Sequence, residues 1–166
     1  MSATSRGAPT PSVPPSERFD IWSRRVIAAD RAEVFAFLTD LENHWLIADR
    51  FVDVVDLEGP PGARTGGCVR IRGPFGVHRS ARTRVDYAAP PEEMGGSARI
   101  GHATAAHVRW LLEPAGGATA VTLGATVEHA GTLDRLLLGL GGLAGMRRRF
   151  DNTLRALDAR VAACAT

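Results

Sequence analysis

Between residues 51 and 129 the chain repeats one pattern: a short run rich in β-branched residues, then a cluster of small or turn-forming ones. The runs FVDVVDL, CVRIRG, HRSARTRVDYA, ARIGHA, HVRWLLE and AVTLGATVEH alternate with separators such as GPPGARTGG, GPFG, APPEEMGG and EPAGGA. Gly supplies positive φ and Pro fixes φ, so these separators are suited to turns. Six strands joined by turns this short must reverse direction at each one, which gives an antiparallel sheet. Such a sheet buries one face, and something outside this stretch has to cover it.

The flanks supply the cover. Residues 20–29, DIWSRRVIAA, read as a further strand, and Asp30 followed by Glu33 has the spacing of a capping box at a helix start. Val34, Phe35, Leu38 and Leu41 recur at helical spacing, and Asp40 can cap a second short helix carrying Trp45 and Leu46. After His129 the period lengthens again. Residues 132–163 read as a long helix or a broken pair, with Gly139, Gly141, Gly142 and Gly145 weakening the first half. In the second half Leu143, Met146, Phe150, Thr153, Leu154, Leu157 and Val161 form one stripe, with Arg147, Arg148, Asp151, Arg155 and Asp158 largely outside it. Strand, two short helices, six strands and a long terminal helix make an α+β domain over residues 19–166. Residues 1–18, dominated by Pro, Ser, Thr and Ala, are expected to be a disordered tail.

Composition removes several chemistries. All 20 basic residues are Arg, so Schiff-base catalysis and a phosphate-loop lysine are excluded. The two cysteines, Cys68 and Cys164, are far apart and begin no zinc motif. His102 and His107, five apart, fall on opposite faces of a continuous strand, so no metal is expected. A formal charge of +2 is too small to imply nucleic acid. No secretory signal or membrane-length apolar run is present, and the simple expectation is a reducing cytoplasm.

VIAADRAEVFAFLTDLENHW resembles the opening of the SRPBCC, or START-like, helix-grip superfamily, which includes polyketide cyclases and dehydrases; Ile27, Ala29, Val34, Phe35, Leu38, Thr39 and Asp40 carry the likeness. TGGCVRIR, VDYAAPPEEM, WLLEPAGGATAVTL and FDNTLRALDARV resemble later segments of the same superfamily in the same order, so the likeness spans residues 20–163. It implies a curved seven-stranded antiparallel sheet wrapped around the terminal helix, enclosing a tunnel for an apolar small molecule. Superfamily members include cyclases, carriers and receptors, so the likeness fixes a fold and leaves the activity open.

Side chains alternate across a strand, and the apolar ones choose the inner face. By parity Arg79 and Thr83 join Val77, Ala81, Val85 and Tyr87; His102 joins Ala98 and Ile100; His129 joins Val121, Leu123, Ala125 and Val127. Ser23 and Arg25 accompany Ile21 and Ile27, Trp110 accompanies Val108 and Leu112, and Met146, Phe150, Thr153 and Leu157 form a helical wall. An Arg between apolar walls can hold a carboxylate or an enolate. His102, His129 or Tyr87 could exchange a proton in a cyclisation or dehydration. The competing reading pairs Arg79 with an acidic neighbour and lets both histidines satisfy backbone carbonyls.

Two further features are expected to face outward. Arg70, Arg72, Arg82 and Arg84 lie in a stretch, 64–84, without Asp or Glu, and would form a convex basic patch for an acyl carrier protein. The patch lacks interleaved aromatic residues, which disfavours nucleic acid. TLDRLLLGLGGLAG, within 132–145, reads either as a lid over the tunnel mouth, able to touch a membrane or a dimer partner, or as the loose start of the terminal helix. These observations lead to a ligand-binding protein that promotes cyclisation or dehydration without a cofactor. A noncatalytic carrier or sensor of apolar metabolites is the alternative, and an interaction module is a third.

Overall fold

The computed structural model describes residues 15–48, 51–72, 78–131 and 142–164. In chain order the elements are α1 (Pro15–Arg18), β1 (Ile21–Ile27), α2 (Arg31–Thr39), α3 (Leu41–Ile47), β2 (Val52–Glu58), β3 (Gly66–Arg72), β4 (His78–Ala89), β5 (Glu93–Ile100), β6 (Thr104–Ala115), β7 (Ala118–His129) and α4 (Leu143–Cys164). The seven strands form one antiparallel sheet in the order β1-β7-β6-β5-β4-β3-β2. Consecutive strands pair from β2 to β7, as turns this short dictate, and β1 closes the order by pairing with β7. The expected α+β fold, with two short helices between the first two strands and a long terminal one, is the fold observed.

Local chemistry sets the helix ends. Asp30 caps α2 by accepting from the Arg31 N–H at 2.9 Å, and Asp40 caps α3 by accepting from the Glu42 N–H at 3.1 Å. Val34, Phe35 and Leu38 of α2 and Leu41 and Ile47 of α3 are buried in the core. The one-turn α1 falls inside the span expected to be tail. Thr126 donates through Oγ1 to the Arg18 carbonyl at 3.2 Å, and the Phe19 ring is buried over Gly124, where a Cβ would lie 2.4 Å from it. The rest of that tail, residues 1–14, and most of the Leu- and Gly-rich stretch, 132–141, lie outside the described residues. No described helix is long and apolar enough to cross a membrane.

The fifth strand differs most from expectation. It begins at Glu93, five residues before Ala98, and ends at Ile100; Gly101 adopts φ +60° in the turn that follows. Gly95 and Gly96, read from sequence as part of a separator, are strand residues because their neighbours occupy the place of their side chains. A Cβ on Gly95 would meet the Tyr87 ring at 2.6 Å, and one on Gly96 would lie 2.1 Å from the Arg84 carbonyl oxygen. Replacing Gly96 with Ala is therefore expected to lower stability by about 1–3 kcal/mol, read as a lower urea midpoint. Gly145→Ala on α4, with nothing within 4 Å, should move the midpoint the other way, by up to about 1 kcal/mol.

Candidate functional site

The strand registers define the inner face. Ile21, Ser23, Arg25 and Ile27 of β1 stand beside Ala125, Leu123, Val121 and Thr119 of β7. The face continues through Val108, Trp110 and Leu112 of β6, Met94, Ala98 and Ile100 of β5, then Val85, Thr83, Ala81 and Arg79 of β4. It ends on Val69 and Ile71 of β3 with Val54 and Val52 of β2 opposite them. The long helix does not cover all of it. α4 lies along β1 and touches β7, with α2 and α3 against its flank, and no described helix packs closely on β3, β4 or β5.

Burial follows that division only in part, since Val69 of β3, Ala81 of β4 and Met94 of β5 are buried as well. On the covered side Ser23, Trp110 and Leu123 are buried, as are Phe150, Thr153, Leu154, Leu157 and Val161 of α4. Arg25 is spent on the frame: its Nε donates to Asp158 Oδ2 of α4 at 2.8 Å, a partly exposed pair worth little by itself. On the other side Arg79, Thr83, Val85, Ala98, Ile100 and Ile71 are only half-buried, as is Met146 of α4. Thr83 donates through Oγ1 to the Gly67 carbonyl at 3.3 Å. Away from α4 the inner face thus mixes buried with half-buried residues, and Arg79 is the cationic strand residue there.

Three expected inner residues lie elsewhere. Tyr87 is opposite Gly95 because the β4–β5 register shifts between Val85 and Tyr87; this bulge moves the ring to the outer face, where it is 39 % exposed. On that face Arg109 donates through Nη2 to Glu93 Oε2 at 2.6 Å. A second shift, between Ala105 and Ala106, sets His129 opposite Ala105 although Val127 stands opposite Ala106, and His129 is exposed. His102 is exposed in the β5–β6 turn, because β5 ends two residues earlier. None of the three reaches the inner face.

The outer face carries the expected arginines, and acids not foreseen. Arg70, Arg72, Arg82 and Arg84 do fall on it, but β2 lies beside β3 and brings Asp53, Asp56 and Glu58. Arg72 holds Asp53 through two hydrogen bonds, at 2.8 and 3.1 Å, and Arg82 lies 3.7 Å from Glu58. The Arg72 hydrogen bond keeps the Asp53 carboxyl below its ordinary range. Near α4's start, Asp20, Ile21, Trp22, Leu143, Ala144 and Arg147 line an open cleft of about 240 Å³, with Arg147 5.3 Å from the Trp22 ring centre.

His44 was not anticipated from the sequence. Its ring stands edge-on to Trp110, with centroids 5.3 Å apart and planes at 66°. Asn43 donates through Nδ2 to the Phe37 carbonyl at 3.1 Å, so α3 caps the last turn of α2. Burial outweighs the opposing pull of the Leu38 backbone and the Asp40 charge, lowering the His44 pKa to about 4. Its Nε2 and the Trp45 Nε1 are buried without hydrogen-bond partners among the described residues. The signal available in the sequence was ENHW, two polar residues that follow α2 closely enough to reach back to its end. Among the described residues no three His, Cys, Asp or Glu side chains come together as a metal site would require.

Solved structures share this architecture. TTHA0849 from Thermus thermophilus is 22 % identical over 88 % of this chain and 99 % of its own, with a TM-score of 0.67. KanY is 24 % identical over 85 % and 95 %, with a TM-score of 0.68. A START superfamily protein from Mycobacterium smegmatis is 17 % identical over 87 % and 97 %, with a TM-score of 0.64. None of the curated proteins compared with the chain matches it. The family profile described as "Polyketide cyclase / dehydrase and lipid transport" matches residues 18–162, from the last residue of α1 to near the end of α4. The chain belongs to that family.

Proposed function

We propose that the protein holds an apolar, oxygenated small molecule of polyketide type against the β3–β5 half of the inner face and promotes its cyclisation or dehydration without a cofactor. The observation that carries this reading is the mismatch between sheet and helix. The inner face is apolar across most of its width, α4 lies along β1 and β7, and away from it Val85, Ala98, Ile100 and Ile71 are half-buried beside the buried Val69, Ala81 and Met94. Apolar surface of that kind gains about 25 cal/mol per Å² when a ligand covers it. Arg79 supplies the charge: beside apolar neighbours its guanidinium can stabilise an enolate as a carbonyl carbon is attacked. Thr83, Ile100, Trp110 and Met146 are the wall in this reading, and Ser23, Leu123, Phe150, Thr153 and Leu157 hold that wall in place. Arg70 and Arg84 on the outer face are where an acidic carrier protein would dock.

A carrier of apolar metabolites uses the same surface without turnover, and the family's description names lipid transport beside cyclisation. The experiment incubates the wild-type protein and Arg79→Ala with a poly-β-ketone thioester, measuring product formation and binding separately. A cyclase loses about 10²–10³-fold in turnover on losing this donor, while affinity changes by less than about threefold. Absence of turnover in the wild-type protein, with binding intact, decides for the carrier. An equal fall in rate and affinity removes the catalytic role of Arg79.

A further inference from the structure

We infer that the end of the molecule where α4 begins docks on an anionic lipid surface. In the antiparallel order β1 and β2 run the same way, so both start at this end. On the β1 flank Trp22 and Arg147 line the open cleft, with the guanidinium 5.3 Å from the indole centre. On the β2 flank Arg149 lies 5.0 Å from the centre of the Phe51 ring. The first turns of α4 therefore set two arginines against aromatic rings, and Arg148, between them in sequence, is exposed to solvent.

Elsewhere arginines are matched by acids: Arg24 with Glu113, Arg64 with Glu42, Arg72 with Asp53 and Arg155 with Asp151. Among the described residues no carboxylate pairs with Arg147, Arg148 or Arg149, and the first turn of α4 holds no acid. Nearby acids are engaged: Asp20 accepts from the Val127 N–H at 2.8 Å, and Arg72 holds Asp53. Three adjacent cations near the positive end of a helix dipole repel one another, and a negatively charged partner relieves them. The apolar residues among them say which kind. Leu143 is 44 % exposed one turn before Arg147, and Trp22 is half-buried beside it. Indole and leucine side chains suit the acyl boundary of a bilayer, and guanidinium groups suit its headgroup phosphates. An acidic protein answers the arginines alone; lipid answers the indole and the leucine too. No described helix can span a membrane, so the contact is with its surface. The inference goes beyond the ligand reading and does not rest on it.

The test mixes the full chain with vesicles of phosphatidylcholine, alone or with about one-third phosphatidylglycerol, and measures binding by sedimentation. Wild-type protein should bind the anionic vesicles, dissociate as salt is raised, and leave the neutral ones in solution. Binding should shift tryptophan emission to the blue, and Trp22→Phe should remove that shift. Each arginine near such a surface strengthens binding about fivefold, so Arg147, Arg148 and Arg149 replaced together by Gln should weaken it about 100-fold. Arg148→Gln alone should weaken it about fivefold and keep the wild-type urea midpoint, because Arg148 makes no hydrogen bond or ion pair among the described residues. Arg160→Gln, near the far end of α4, should bind as the wild-type protein does. Absence of binding to the anionic vesicles, binding that the triple replacement retains, or an emission shift that survives Trp22→Phe overturns the inference. So does binding to poly-glutamate with none to vesicles, which would assign this end to an acidic protein. None of these outcomes bears on the ligand reading, which the poly-β-ketone experiment decides.

Discussion

Truncating Leu157 to Ala is expected to cost about 2–5 kcal/mol of folding stability, while Val85→Ala should cost less than about 1 kcal/mol. The two residues share the inner space between sheet and helix, and their difference follows from where α4 lies. Leu157 is 0 % exposed on α4, in a core that includes Ile27, Leu112, Val121 and Leu154. Removing its three outer carbons leaves a hole in a region already closed on all sides, so both the transfer and the cavity contributions apply. Val85 is half-buried on β4, at the margin of that core. Its truncation removes little that is sealed from water. Urea unfolding of both variants at neutral pH measures the contrast, and for a chain of 166 residues the Leu157 loss should appear as a fall in Tm of about 5–15 °C. Comparable losses at the two positions would mean that the β3–β5 half is packed as tightly as the helix-covered half.

Acid should destabilise the fold through His44 well before the carboxylates titrate. The folded-state pKa is about 4 against 6.5 for the free side chain, so between those values the unfolded chain binds a proton that the folded chain refuses. Unfolding then takes up a proton, and stability falls as pH drops from 6.5 toward 4. The total is about 3 kcal/mol once the lower value is passed. Stability is fully retained above pH 6.5, where both states are neutral. Asp53, held low by Arg72, adds loss of the same sign only in the carboxylate range below this window. Urea midpoints for wild-type and His44→Asn protein at successive pH values across the window test this: the wild-type midpoint should fall and the variant's should stay nearly level. Parallel curves would show that His44 is neutral at no cost.

The residues that made the fold legible were those whose local chemistry leaves few options. Gly- and Pro-rich separators required reversals, Asp30 and Asp40 marked both helix starts, and the α4 stripe required something apolar to cover. The site was legible only where strand parity continued unbroken. Arg79, Thr83 and Val85 fall on one face because nothing interrupts β4 before Val85. Tyr87 and His129 do not follow their strand-mates, because one extra residue in a ladder reverses the alternation and no residue type announces it. His102 was misplaced for a different reason: Gly95 and Gly96 read as a turn until the Tyr87 ring and the Arg84 carbonyl are seen to occupy their missing side chains. His44 was invisible because its surroundings come from Leu38, six residues earlier on α2, and from Trp110, sixty-six positions later in the chain.

The irregularity on β4 also bears on how such a protein acquires a new substrate. A strand in which a single inserted residue separates Val85 from Tyr87 holds two alternative linings in one stretch of chain. Inserting one residue opposite Asp86 in β5 would restore regular alternation on β4 beyond Val85 and turn Tyr87, the only tyrosine of the chain, toward the interior with Ala88 outward. Gain or loss of one codon can therefore exchange an aliphatic wall for a phenolic one with no substitution at all, so diversification of such interiors should leave its mark in gaps as well as in replaced letters.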